Sequence, residues 1–189
     1  MADLDRTAAG LNGFRLELTS FVGRRDEVAE VADLLGRLRL VTVTGPGGIG
    51  KTRLAARVAE VVAVRFADGV WLAELGGLGD PTQVPEAVAQ ALGVTAAPGS
   101  SVLESLTRVL AVRQLFLVLD NCEHLVAAVA ELCANVLAVA DDVRLLATSR
   151  EPVRITGDRG ASGRDAARDR TSRGPGGVAR TGAAWRTAR

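Results

Sequence analysis

The sequence predicts an α/β fold in which helices cover both faces of a mainly parallel sheet. Three observations carry that prediction. Short β-branched or apolar runs at 40–44, 70–75, 115–119 and 143–148 alternate with stretches of helical spacing, the pattern of strand–helix–strand crossovers. The run Leu115-Phe116-Leu117-Val118-Leu119 is apolar at every position, as expected of a strand buried on both faces. The run Leu40-Val41-Thr42-Val43-Thr44 ends in a glycine cluster that leads directly into the next helical stretch.

The elements follow in order. Residues 24–38 place Val28, Val31, Leu34, Leu35 and Leu38 at amphipathic spacing and predict a helix. Residues 51–66 are helical in composition. Asp80 and Pro81 open a further helix as N-cap and first-turn residue, and Gly93 stops it. Ser100 or Ser101 caps a helix running to residue 112, and residues 122–139 form the last predicted helix. No internal repeat is visible.

At 189 residues the chain accommodates one domain of ordinary size. Its composition is 48% hydrophobic but only 3% aromatic, so the core must be built from Ala, Val and Leu. The formal charge of +1 is uneven: from residue 157 onward eight arginines face three aspartates, leaving −4 on the rest. A mildly acidic body offers no electrostatic footprint for nucleic acid, and no direct nucleic-acid binding is expected of it. Two cysteines, Cys122 and Cys133, make no disulfide framework, and with His124 the chain's one histidine they make no zinc site. Both cysteines read as structural residues about three turns apart on one helix. The first ten residues lack the apolar segment of a signal peptide, and the longest apolar stretch is too short to span a bilayer. A cytoplasmic location without membrane attachment is expected.

Gly45-Pro46-Gly47-Gly48-Ile49-Gly50-Lys51-Thr52 matches the pattern G-x-x-x-x-G-K-[ST]. Each residue type has a reason to be there. The glycines permit left-handed backbone, so that successive N–H groups converge on phosphate oxygens. The helix that follows adds its positive end. Lys51 is a compact charge for the outer phosphates, and the Thr52 hydroxyl suits a magnesium ion. Lysine usage sharpens the assignment: Lys51 is the one lysine beside twenty-two arginines, placed where a flexible ammonium fits better than a planar guanidinium. ATP or ADP with Mg²⁺ is the expected ligand.

Asp120 directly follows the buried run and should point into the crevice at the carboxyl ends of the strands. It is the natural second Mg²⁺ residue beside Thr52. The next position, where efficient hydrolases of this layout carry a glutamate that orients water, holds Asn121. Glu123 is the candidate substitute, with a solvent-facing place in the first helical turn as the alternative. Arg150, just past the last strand, is placed to reach a γ-phosphate.

Taken together, Phe21-Val22-Gly23-Arg24, the stretch from Val43 to Arg53, Leu117-Val118-Leu119-Asp120-Asn121-Cys122-Glu123-His124-Leu125 and Leu146-Ala147-Thr148-Ser149-Arg150-Glu151-Pro152 resemble the NB-ARC branch of the STAND P-loop ATPases. The version they are most similar to occurs in actinobacterial transcriptional regulators of the LuxR and AfsR/SARP types. The resemblance covers residues 19–156 and implies a three-layer P-loop NTPase fold. It further implies that Val22 and Arg24 meet the adenine base, that Arg53 belongs to the phosphate-loop motif, and that Arg150 is a sensor. Such proteins act as switches in which ADP holds a closed state and ATP permits self-association of the full-length parent. The family's fifth strand, helical domain and winged helix are not visible here, so the fold is expected to be incomplete, with Leu40–Thr44 an unprotected edge.

Residues 1–18 read as a disordered leader. Residues 157–189, rich in Arg, Gly and Ala without apolar periodicity, are expected to be disordered and to be the product of truncation or a frame-shifted GC-rich reading. A basic nucleic-acid arm would interleave aromatics and lysines, which this segment lacks. Two other functions compete with the switch. A small-molecule kinase would need an arginine-bearing lid that no segment supplies, and an inert remnant would bind nothing. A GTPase of the usual kind needs a second lysine in N/T-K-x-D, which this chain does not have.

Overall fold

The computed structural model describes residues 10–14 and 23–155, together with the backbone of Val178–Ala179. The fold is built on strands β1 (Leu11–Asn12), β2 (Leu40–Thr44), β3 (Val70–Glu74), β4 (Phe116–Asp120), β5 (Arg144–Ser149) and β6 (Val178–Ala179). Helices α1 (Arg25–Arg37), α2 (Lys51–Val62), α3 (Val84–Ala91), α4 (Val102–Leu110) and α5 (Val126–Val139) connect them. Strand order in the sheet is β1-β3-β4-β5-β2-β6. Every pairing is parallel except that of β6 with β2.

The sheet separates two apolar layers because side chains alternate along each strand. On β4, Phe116 and Val118 face α1 and α2, where they join Val31, Leu54 and Val58. Leu117 and Leu119 face α3, α4 and α5 with Leu106, Val129 and Val136. Among the described residues one ring pair, Phe66 stacked on Phe116 at 5.5 Å, helps to fill the first layer. These layers confirm the three-layer α/β prediction, including the short helix expected from Asp80 and Pro81. There a 3-10 turn at Pro81–Gln83 precedes α3, and the Asp80 carboxylate accepts from Thr82 N–H at 2.9 Å. The end of α3 closes with Val94 N–H on Ala89 O and Gly93 N–H on Gln90 O, with Gly93 at φ 65°, a helix terminus that needs a left-handed residue. Ser101, rather than Ser100, caps α4: its hydroxyl accepts from Glu104 N–H, and Glu104 accepts from Ser101 N–H at 2.8 Å.

Three expectations are corrected. The edge at Leu40–Thr44 is covered, since Val178–Ala179 pairs with Thr42 and Val43; the rest of residues 157–189 lies outside the described residues. Within the segment read as a disordered leader, Leu11–Asn12 pairs with Val70 and Trp71 of β3, because Leu11 can bury its side chain beside that strand. The last helix begins at Val126, not at Cys122. Leu125, at φ −126° and ψ 17°, lies outside helical geometry, and its N–H returns to Cys122 O at 2.9 Å, so residues 122–125 close a separate turn ahead of α5. Cys122 therefore sits in that turn while Cys133 lies on α5, both free and buried.

Candidate functional site

The loop between β2 and α2 is shaped by its glycines. Gly48 and Gly50 lie at φ 78° and 81°, and Gly50 is the N-cap of α2 in the left-handed region. The loop is anchored below by Gly45 N–H on Ser149 O, 3.3 Å, at the end of β5. Lys51 begins α2, is 9% exposed, and folds back so that Nζ donates to Gly45 O at 2.9 Å and Pro46 O at 3.1 Å. The loop's positive charge is thereby held inside its own concavity.

Parallel pairing brings the carboxyl ends of β4 and β5 alongside this loop. Thr52 Oγ1 donates to Asp120, 3.0 Å from Oδ1 and 2.9 Å from Oδ2. The Thr148 hydroxyl, buried at the end of β5, donates to Asp120 Oδ1 and accepts from Asn121 N–H at 3.0 Å. Asp120 is thus a buried carboxylate held by two hydroxyls. Two ligands at adjacent corners of an octahedron with metal–oxygen distances near 2.05 Å stand roughly 2.9 Å apart, and magnesium selects oxygen donors in that geometry. The Thr52–Asp120 separation fits this requirement. No group of three or more His, Cys, Asp or Glu that could hold a metal occurs among the described residues, so a cation here would take further ligands from phosphate and water.

Beyond Asp120 the turn at 121–125 builds a second layer. With its amide nitrogen facing Glu123, Asn121 donates to Glu123 Oε2 at 2.9 Å and Oε1 at 3.1 Å. Gly76 leaves room for that amide; a Cβ there would stand 2.1 Å from its outer terminal atom, the one turned away from Glu123. Arg150 Nε donates to Glu123 Oε1 at 3.1 Å, while its Nη2 is 3.5 Å from where a Cβ on Gly47 would lie. Glu123 therefore faces its neighbours in the turn rather than bulk solvent, and one guanidinium spans the glutamate and the phosphate loop. Arg24, itself left-handed at φ 60°, donates from Nη1 to Ile49 O at 2.9 Å and pairs with Glu27 at 3.3 Å, fixing the segment before α1 to the same loop. Arg53 lies half-buried in the first turn of α2. His124 points elsewhere, its Nε2 2.7 Å from Leu78 O.

The predicted residues Arg24, Gly45, Pro46, Gly47, Gly48, Ile49, Gly50, Lys51, Thr52, Arg53, Asp120, Glu123 and Arg150 thus surround one loop; Val22 lies outside the described residues. Sequence reasoning did not single out Thr148 or Gly76. The signal for Thr148 is present, a hydroxyl residue ending an otherwise apolar buried strand. Gly76 becomes meaningful only when Asn121 is packed against it. A groove of about 740 Å³ between α5 and the segment after β5, lined by Val126, Ala130, Ala134, Pro152 and Ile155 among others, holds none of these residues.

A glycine-rich loop between a parallel strand and a helix, with a lysine and hydroxyl opposite a buried strand-end aspartate, defines a P-loop NTPase domain. An AAA domain model matches residues 36–155, and the chain belongs to that family. Uncharacterized proteins of Mycobacterium bovis and Mycobacterium tuberculosis are 39% identical over 144 residues, 76% of this chain and 37% of theirs. A Mycobacterium tuberculosis protein provisionally named an HTH-type transcriptional regulator is 41% identical over 125 residues, 66% of this chain and 14% of its own. The chain therefore spans well under half the length of these relatives. Among solved structures, Cdc6p from Pyrobaculum aerophilum superposes with a TM-score of 0.53 at 20% identity, over 70% of this chain and 41% of that one. A STAND protein with a tetratricopeptide repeat sensor from Pyrococcus horikoshii gives 0.50 at 15% identity, over 72% and 22%. At these identities the structural likenesses establish the fold. No helix among the described residues is long and apolar enough to cross a membrane.

Proposed function

We propose that this domain binds ATP and ADP with Mg²⁺ as the nucleotide switch of a transcriptional regulator of the NB-ARC/STAND type, with slow hydrolysis at most. The observation that carries the proposal is the convergence of Lys51, Thr52, Asp120 and Arg150 on one glycine-rich loop. In this reading Lys51 exchanges its two carbonyl partners for phosphate oxygens, and the backbone N–H groups of residues 47–52 enclose the phosphate chain. Thr52 and Asp120 would hold the magnesium ion, which when bound neutralises charge between the outer phosphates. Arg24 and Val22 would border the base, and Arg53 would support the loop from the first turn of α2.

A switch is favoured over rapid turnover because the residue after Asp120 is an amide, and Asn121 cannot accept a proton from water. Glu123 is the remaining carboxylate at hand, and it is engaged by Asn121 and Arg150. The mycobacterial relative named as a regulator supports a role in transcriptional control. In such a parent, ATP binding would promote self-association through parts of the protein beyond this domain.

Calorimetric titration of the chain with MgADP and MgATP tests the assignment. Lys51→Ala should weaken both by at least about tenfold, the loss of a charge-assisted contact worth roughly 1.5–3 kcal/mol. Equal affinity in the folded variant would remove the phosphate loop from the function.

A further inference from the structure

Arg150 lies between the phosphate loop and Glu123, the acidic group of the turn that follows Asp120. Its Nε is committed to Glu123 Oε1 at 3.1 Å, while Nη2 lies beside Gly47. A guanidinium is planar and its donors form a fixed fork, so it cannot turn fully toward an additional anion above Gly47 while keeping the Nε contact in place. Glu123 has a second tether, since the Asn121 amide donates to both carboxylate oxygens. The carboxylate therefore keeps its place if Arg150 leaves. Arg150 is 64% exposed at its side chain whereas Glu123 is 19% exposed, so the arginine is the partner free to move.

Resting on the nucleotide-switch reading above, we propose that Glu123 and the terminal phosphate of the triphosphate compete for Arg150. With a diphosphate bound, Arg150 stays on Glu123, and the carboxylate is withheld from water. With a triphosphate bound, Arg150 transfers to the extra phosphate, and Glu123 is left held by Asn121 alone. The ion pair thus acts as a latch that sets the preference between ADP and ATP. Glu123 is a positioning residue for the arginine, and Asn121 is a positioning residue for Glu123.

Competition has a quantitative signature. Removing the glutamate's charge should free Arg150 and raise affinity for the triphosphate while leaving the diphosphate unchanged. An exposed pair of this kind contributes modestly, so the shift should be about two- to fivefold. The experiment measures affinities of the full chain for MgADP and for a non-hydrolysable ATP analogue with Mg²⁺, in wild type, Glu123→Gln, Arg150→Ala and the double variant. Support for the latch is a two- to fivefold gain in the analogue-to-ADP affinity ratio in Glu123→Gln, abolished in the Arg150→Ala background. An unchanged or lowered ratio in Glu123→Gln overturns it, as does a gain that persists without Arg150. Failure of the underlying reading looks different, because then wild type binds neither nucleotide or Lys51→Ala binds both equally well. Should Glu123→Gln prove unfolded by circular dichroism, Glu123→Asp serves the same purpose. It keeps the charge but withdraws it by one methylene, and it must raise the ratio in the same Arg150-dependent way or the latch is wrong.

Discussion

At the scale of single residues the site depends on a few buried polar atoms whose partners are all accounted for. Thr148 is the clearest, because its hydroxyl satisfies both the Asp120 carboxylate and the Asn121 N–H. Thr148→Val keeps the volume but removes both contacts, leaving a backbone donor without a partner. Urea denaturation should show a loss of about 1–3 kcal/mol; a change under about 0.5 kcal/mol, the range of ordinary surface substitutions, would mean the hydroxyl is dispensable. Gly76→Ala has a different expected outcome. Its Cβ meets the tip of the Asn121 side chain, 2.1 Å away, and the amide can swing aside, so stability should fall little while Glu123 loses a tether. Denaturation together with the nucleotide affinity ratio separates the two effects. A large stability loss would show that the Asn121 amide cannot move.

At the scale of elements, local chemistry decides where helices start and where a short strand can attach. The reciprocal cap of α4 is contributed by Ser101 and Glu104, and Ser101→Ala should cost about 1 kcal/mol. Hydrogen bonds from Ser101, the backbone contact first, hold the Glu104 carboxyl below its usual pKa of 4.5. A lowered carboxyl contributes stability that is present above the unfolded value and lost as pH falls through the folded one. Ser101→Ala keeps the backbone N–H that bonds the carboxylate, so it is the stability gap between wild type and Glu104→Gln that should narrow as pH drops below about 4.5, and a gap constant down to pH 3 would contradict the carboxylate's part in the box. The attachment of β1 rests on Gly69, at φ 83° with Gly10 O only 2.8 Å from the position of a Cβ. Alanine there faces both an unfavourable backbone and a backbone clash, so a loss of more than about 1 kcal/mol is expected. Amide exchange should speed up first at Leu11 and Asn12, and uniform acceleration across the sheet would argue against a local effect.

At the scale of the whole molecule, the two thiols report on the integrity of the core. Cys122 donates to Leu119 O at 3.3 Å and is fully buried, as is Cys133 on α5. Burial pushes the Cys122 thiol well above its ordinary range, and desolvation alone raises Cys133 to about 12. Groups with raised values favour the folded state below the unfolded pKa near 9 and lose that contribution as pH rises toward 12. The domain should therefore become less stable in the window from about 9 to 12. At neutral pH both thiols should react with an aromatic disulfide reagent only as fast as the fold opens. A nucleotide at one hundred times its dissociation constant stabilises by about 2.7 kcal/mol, and where labelling follows the population of the open form it should slow the reaction roughly a hundredfold. Labelling at the rate of a free thiol would show that the core is not closed.

The sequence by itself determined the order of strands and helices, the phosphate loop and the aspartate at the end of β4. These are written in periodicity, in glycine spacing and in the placement of a single lysine, all of which are local in the chain. Lys51, Thr52 and Asp120 were legible because each residue's chemistry is tied to a neighbouring strand end. The tertiary structure decided what is remote. It set Thr148 on Asp120, made Gly76 the space that Asn121 needs, and started α5 four residues later than composition suggests, because Leu125 leaves helical geometry and closes a turn on Cys122. It also placed Glu123 and Gly47 on two sides of Arg150, although they are 76 residues apart in the chain. Hydrogen bonds of that kind depend on which strand lies beside which, and β2 beside β5 is a choice made by the packing of two apolar layers, not by any short stretch of sequence.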